Sequence, residues 1–216
     1  MEASPLQLVP ELPEHSKIGA RLRAERHRKA MTVREIARRI GVSPSLISQI
    51  ERDKVNPSVG TLWGLVTVLG LTMGDLFSES ATPSGQQPAS ASPPPSAGPV
   101  TAPGGRSMIN LETGVQWERL TAGSDSLVEF LTVVYPPGAA SCDEDSLMSH
   151  GGKEYGYVLS GRLGVRIGFD EYELEPGMAI SFDASSPHRL WAIGNQPAEA
   201  IWFVVGRQND SRGPLI

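Results

Sequence analysis

Apolar residues in the first third of the chain recur at three- and four-residue intervals. Ile18 and Leu22, then Ile36, Ala37 and Ile40, then Ile47 and Ile50, then Leu62, Leu65, Val66 and Leu69 each mark one stripe of a 3.6-residue helix. Boundary signals fall between the stripes. Lys17 to Lys29 forms a first helix, and Thr32 with Glu35 three positions on fits a capping box that opens a second. Gly41 stands where a helix ends on a left-handed residue, and Ser43-Pro44 supplies an N-cap and a first-turn proline for a third. Asn56-Pro57-Ser58 opens a fourth helix that Gly70 ends, and Thr72 to Phe77 makes a short fifth. From residue 107 the rhythm shortens to alternation. Residues 115–120, 127–135, 154–159, 163–167, 178–182, 189–193 and 200–205 are the clearest strands, with corners at Pro136-Pro137-Gly138, Ser160-Gly161 and Glu175-Pro176-Gly177. Many short strands with regular turns predict a β-sandwich or barrel.

Between the two rhythms, residues 79–105 are rich in Pro, Ser, Ala and Gly and nearly lack large apolar groups. Such a segment cannot offset its ordering entropy and is expected to be a disordered tether. The expected organisation is a loose leader over 1–14, a helical head over 15–78, the linker over 79–105 and a β-domain over 106–216. At 216 residues the chain suits two small domains better than one large core. Charge follows the same division. Residues 15–78 hold eleven Lys/Arg against five Asp/Glu, a net of +6, whereas residues 106–216 hold eight against fifteen, a net of −7. The overall acidity hides a basic head, the footprint expected for phosphate contacts. No run approaches the length of a membrane span, and the first residues lack the basic start and apolar centre of a signal peptide. A single cysteine, Cys142, excludes an intrachain disulfide and fits a reducing cytoplasm, where it reads as an incidental loop thiol.

The stretch Met31 to Glu51, MTVREIARRIGVSPSLISQIE, is two short helices joined by a glycine turn, the layout of a helix-turn-helix reader of duplex DNA. With Ile47 and Ile50 inward and Val42 plugging the turn, Ser43, Pro44, Ser45, Ser48 and Gln49 are left on the outer surface near the start of the third helix. Glutamine bonds adenine bidentately, and serine serves either base edge or phosphate. Arg38, Arg39, Lys54 and Asn56 complete the candidate DNA-binding set. Residues 17–77 resemble the five-helix Cro/repressor-like domain of the XRE family of bacterial regulators, whose signature matches along IGARLRAERHRKAMTVREIARRIGVSPSLISQIERDKVNPSVGTL. The resemblance implies an ion pair between Arg26 and Glu51 tying the first helix to the third. It also implies a DNA contact at Val33, where many members carry a glutamine; the departure puts that contact in doubt.

The β-domain carries two further segments. HGGKEYGYVLSG (150–161) holds His150, Glu154 four residues later and Gly161, and PGMAISFDASSPHRLWAIGN (176–195) holds Pro176-Gly177, Pro187-His188 and Asn195. These resemble the two motifs of the cupin family, which implies a jelly-roll type barrel. Cupin metal sites use two histidines and a glutamate of the first motif and a histidine of the second. Carried over, the ligands are His150, Glu154 and His188, while Met148 stands at the position of the first histidine. Its thioether is a poor partner for a hard divalent ion, but two imidazoles and a carboxylate suffice for Zn, Fe, Mn or Ni with open positions. The other reading is a ligand pocket in which the same three residues act as hydrogen-bonding groups without metal. Tyr155, Tyr157 and Trp191 are assigned to the effector pocket beside them, and Arg166 and Arg189 to the pocket or its rim, with strand alternation sending about half of such residues inward.

An XRE head followed by a cupin resembles a class of one-component bacterial regulators. The expected function is sequence-specific DNA-binding repression from the bacterial cytoplasm, at the nucleoid. Paired cupin barrels would place two heads on a palindromic operator with half-sites about one DNA turn, roughly 34–36 Å, apart, and a small-molecule effector in the barrel would control them. No catalytic residue is assigned. Two alternatives stand beside this reading, a cupin metalloenzyme of the dioxygenase or isomerase type fused to a DNA-binding head, and a cupin that only dimerises.

Overall fold

The structure, a computed structural model, describes residues 18–77, 100–103, 106–123, 125 and 127–206. The leader expected over 1–14 and all but residues 100–103 of the expected tether lie outside the described residues.

The head is five helices: α1 (Ile18–Arg28), α2 (Val33–Ile40), α3 (Pro44–Ile50), α4 (Val59–Leu69) and α5 (Met73–Phe77). Their ends form where the capping residues stand. The Thr32 side chain accepts from the Glu35 amide, Ser43 from the Leu46 amide and Ser58 from the Thr61 amide. Gly41 ends α2 at φ 76°, a left-handed conformation that costs glycine little. Ile36, Ile47, Ile50, Leu62 and Leu69 are fully buried between the helices.

The second domain contains nine antiparallel strands among the described residues: β1 (Met108–Asn110), β2 (Gln116–Arg119), β3 (Val128–Tyr135), β4 (Lys153–Ser160), β5 (Leu163–Ile167), β6 (Asp170–Leu174), β7 (Ala179–Asp183), β8 (His188–Ala192) and β9 (Ala198–Val205). A six-stranded sheet in the order β1-β2-β3-β9-β4-β7 packs with a three-stranded sheet in the order β6-β5-β8. Two strands were not expected. β1 has only three residues, too few to show alternation. In β6, DEYEL, all but Leu174 are exposed, so pairing with β5 rather than an apolar face makes the strand. Elsewhere alternation decides which residues meet the interior. Along β4, Glu154, Gly156 and Val158 are buried and Tyr155, Tyr157 and Leu159 face out.

Head and barrel are not merely tethered, for α4 and α5 dock directly on the β-domain. The Gly60 amide in the first turn of α4 donates to the Ser141 carbonyl (3.2 Å), and the Glu112 amide donates to the Pro57 carbonyl (2.9 Å). At α5 the Met73 amide donates to the Glu129 carboxylate of β3 (3.2 Å). Arg119 of β2 donates to the Gly74 carbonyl (3.4 Å) and lies 5.6 Å from the centre of the Phe77 ring. Both Arg119 and Glu129 are buried, and the apolar side chains of both domains form one continuous core. Helix α4 is apolar on more than one side, as a helix with two buried faces must be.

Candidate functional site

Two places in the molecule carry candidate chemistry. The first is the start of α3. Ser43, Pro44 and Ser45 are exposed, and Ser48 and Gln49 are half-buried. The Gln49 amide donates to Ser45 Oγ (3.2 Å), so these two side chains already lie together on the outer face, one helical turn apart. Ser43 spends its acceptor on the Leu46 amide and thereby fixes the start of the helix. Arg38, Lys54 and Asn56 are exposed around this face, while Arg39 is also exposed and pairs with Glu35 at 2.7 Å. Val33 does not belong with them. Its side chain, on the first residue of α2, is half-buried and packs against the core. Beneath this face the structure brings Arg26 and Glu51 together in a buried two-pronged pair, with Nε–Oε1 at 2.6 Å and Nη2–Oε2 at 2.8 Å. A third Arg26 nitrogen donates to the Met31 carbonyl (3.1 Å), so one guanidinium holds α1, the turn before α2 and the end of α3 in one frame.

The second place lies inside the barrel. Glu154 on β4, His188 at the start of β8 and His150 in the loop before β4 converge, with ligand atoms all within 4.8 Å of one another. His188 Nδ1 lies 2.8 Å from the Ser186 carbonyl and His150 Nδ1 lies 3.1 Å from the Gly151 carbonyl. A carbonyl only accepts, so each Nδ1 carries the hydrogen and each neutral ring turns a lone pair out at Nε2. Those two Nε2 atoms lie 2.7 Å and 3.5 Å from the same oxygen, Glu154 Oε1, and neither makes a well-aligned hydrogen bond there. Three electron-pair donors thus face one buried point, which is stable only with a cation between them, either a proton or a metal ion. The donor set fits a divalent transition metal.

The electrostatics agree. Burial disfavours the Glu154 charge, but the histidines outweigh it and hold this carboxyl down to about 2. Burial likewise opposes charge on His188, and the Glu154 carboxylate overcomes it, so the His188 pKa is raised. The second Glu154 oxygen is held by the Trp202 indole N–H at 2.9 Å. Gly156, two residues along β4, lets that indole lie flat on the strand, since a Cβ there would collide with the ring. Met148 lines the same cavity, its backbone bonded in both directions to His188.

Three residues assigned to the pocket lie elsewhere. Tyr155 and Tyr157 are 43% and 48% exposed on the outer face of β4, because strand alternation sends them opposite to Glu154. Trp191 packs outside β8, over Gly164 and against the Arg189 guanidinium, whose carbon is 5.0 Å from the ring centre. What lines the cavity instead is Trp117, Leu131, Val133 and Tyr135 from β2 and β3, Trp202 from β9, and Val59 and Trp63 from α4 of the head. The Trp63 ring stacks on His150 with centres 4.3 Å apart at 21°, and meets Trp117 edge-on at 5.7 Å. The sequence singled out neither Trp63 nor Trp202. The signal for Trp63 was a large aromatic on a helix already supplied with a complete apolar stripe. The remaining cavity is small, about 20 Å³.

Comparison with known proteins gives the same two parts. A family model described as a helix-turn-helix domain matches residues 17–79, and one described as a cupin domain matches residues 131–204. The HTH-type transcriptional regulator PuuR of Escherichia coli (strain K12) is 27% identical over 172 residues, which is 79% of this chain and 84% of that protein. The HTH-type transcriptional regulator SutR of the same organism is 33% identical over 73 residues, 33% of this chain and 41% of that protein. A crystal structure of an HTH_3 family transcriptional regulator from Vibrio cholerae superposes with a TM-score of 0.60 at 22% identity, covering 88% of this chain and 96% of that one, a likeness of fold. The chain therefore joins a helix-turn-helix domain to a cupin domain and is similar along most of its length to a helix-turn-helix transcriptional regulator.

Proposed function

We propose that this protein represses transcription by binding a palindromic operator as a homodimer, under the control of a small-molecule effector and a divalent metal at the cupin site. The observation that carries the reading is the outer face of α3, where Ser45 and Gln49 stand paired on a capped helix framed by the buried Arg26–Glu51 bridge. That face presents a donor and acceptor pair of the kind that reads an adenine edge. Arg38, Lys54 and Asn56 stand ready for flanking phosphates, and Arg39 can join them by exchanging Glu35 for phosphate.

One helix-turn-helix per chain reads one half-site, so a palindrome requires a second copy. The outer face of the six-stranded sheet supports pairing through the barrels. There Tyr155, Tyr157, Leu159 and Val205 are exposed beside the stacked rings of Phe130 and Phe203, an apolar patch on a strand face that would otherwise meet water. His150, Glu154 and His188 would hold the metal, with Trp202 orienting the carboxylate. A bound divalent ion would supply a Lewis-acidic anchor for an anionic or carbonyl group of an effector. The barrel is assigned to sensing rather than catalysis because the curated relatives are regulators.

Selection of bound sites from a random DNA pool tests this reading. The full chain is expected to yield one inverted repeat, and Gln49→Ala or Ser45→Ala is expected to relax it at fixed positions. A wild-type pool with no enriched motif, or enrichment that both substitutions leave intact, overturns it. For the metal, elemental analysis after loading with Zn or Fe is expected to find one equivalent per chain, lost in Glu154→Gln.

A further inference from the structure

The proposed regulation rests on a barrel that takes an effector, yet the barrel cavity, about 20 Å³, holds a water-sized species and no more. Sites for organic ligands are roughly 300–1,000 Å³. The difference has a structural cause. Trp63, carried by α4 of the head, fills the mouth of the barrel, stacked on His150 and edge-on to Trp117. We propose that Trp63 is a built-in occupant of the effector site, so that an organic effector and the docked DNA-binding head compete for the same space.

The consequences follow from where Trp63 is anchored. It sits one turn into α4, a helix whose own first turn is fastened to the barrel through the Gly60 amide and the Ser141 carbonyl. The second fastening is α5, held by Glu129 and Arg119. Expelling an indole from the mouth therefore strains both contacts, and the move that opens the pocket is also the move that loosens the head. A metal ion is different. An imidazole lone pair lies in the plane of its ring, so His150 offers Nε2 at the ring edge and not at the face that Trp63 covers, and an ion is taken while Trp63 stays seated. Metal and organic effector thus act on different steps: the ion completes the floor of the site, and the effector displaces its roof. The docked arrangement fixes α3 relative to the barrel, and with paired barrels it fixes the distance between the two recognition helices. Release of the roof abolishes that fixed spacing, and DNA affinity falls. The effect is a coupling free energy, reciprocal between DNA and effector, because each stabilises one of two mutually exclusive arrangements.

The chain supplies its own lock for the test. A Cβ placed on Gly60 would lie 3.6 Å from the Cβ of Cys142, the single cysteine, and that separation suits a disulfide. Gly60→Cys oxidised in the full chain is expected to form an intrachain disulfide between head and barrel, seen by mass and by a non-reducing gel. Indole, a small mimic of the displaced side chain, serves as the probe. In the reduced variant indole is expected to bind and to raise hydrogen exchange at the Gly60 and Met73 amides. In the locked variant it is expected neither to bind nor to change exchange there, and reduction restores both. Trp63→Ala, in which the roof is missing, is expected to bind indole at least roughly tenfold more tightly than wild type, about 1.4 kcal/mol. Zinc alone is expected to bind locked and reduced protein alike.

Failure of the disulfide to form overturns the docking. Indole binding equally to locked and reduced protein overturns the competition, since the probe would then be entering without moving Trp63. Operator binding, read in the same samples, separates the two proposals. Loss of DNA binding from every form while the lock still controls indole defeats the regulator reading and leaves the roof standing. Unequal indole binding with DNA affinity unchanged by indole confirms the competition and removes its regulatory role.

Discussion

The two candidate sites are built in opposite ways. The outer face of α3 comes from seven consecutive residues, Ser43 to Gln49, each placed by its own neighbours through a cap, a first-turn proline and an i,i+4 pair. The barrel site draws Glu154 from β4, His188 from β8, His150 from a loop, Trp202 from β9 and Trp63 from a helix of the other domain. The first site is preorganised by local chemistry and needs the rest of the head only as a frame. The second exists only after strands distant in sequence have paired and the head has docked. The first is a reading face built within one helix, and the second is lined by residues of both domains.

The comparison can be broken at its frame first. Arg26→Ala or Glu51→Ala leaves a buried charge without its partner and is expected to cost about 3–5 kcal/mol. Because one apolar core runs through both domains, helical circular dichroism and tryptophan fluorescence should fall in a single denaturant transition. Two separated transitions would show the domains to be independent and remove the basis of their coupling. Replacing both residues by Met and Leu should recover most of the loss.

Smaller effects sharpen the contrast. Trp202→Phe removes the indole N–H from Glu154 and leaves a buried carboxylate oxygen unsatisfied, with an expected cost of about 1–3 kcal/mol. The same change should weaken metal binding by roughly 10–100-fold, as loss of an orienting partner does; calorimetric titration with zinc reads it, and DNA affinity in the metal-free protein should not move. Gln49→Ala should do the reverse. Discrimination between the best site and its single-base variants should fall by about 1–3 kcal/mol at one position, while thermal stability stays within about 0.5 kcal/mol of wild type. The smallest effect is expected from Ser43→Ala, which removes the cap of α3 at a cost of about 1 kcal/mol, read by thermal melting.

How far each region was legible in the sequence follows from the same contrast. All five helices stand within one or two residues of where caps, glycines and apolar stripes put them, because those signals act within a few positions. Seven strands with clear alternation were legible too, whereas β1 and β6 were not, one too short and the other made by pairing along an edge. Among the site residues, Val33 turns into the core, and Tyr155, Tyr157 and Trp191 face away from the cavity. Proximity to a motif along a strand says nothing about which face a side chain takes until the register is fixed. The tether expectation hid something larger. A linker of that composition says only that two domains are joined, and it is silent on whether they touch.

By itself, then, the order of amino acids determined the helices of the head, the polar face of α3 and the strand rhythm of the barrel, and the resemblance of two segments to the cupin motifs pointed to His150, Glu154 and His188 as candidate metal ligands. All of these rest on interactions between near neighbours or on side-chain chemistry that a position carries wherever it folds. Only the tertiary structure decided that two imidazole lone pairs meet one carboxylate oxygen, that Trp202 aims that carboxylate, and that Trp63 of the head stacks on His150. Apart from His150 and Glu154, which stand four positions apart, those contacts join residues dozens of positions apart, and strand pairing and domain docking, which no local pattern encodes, bring them within reach.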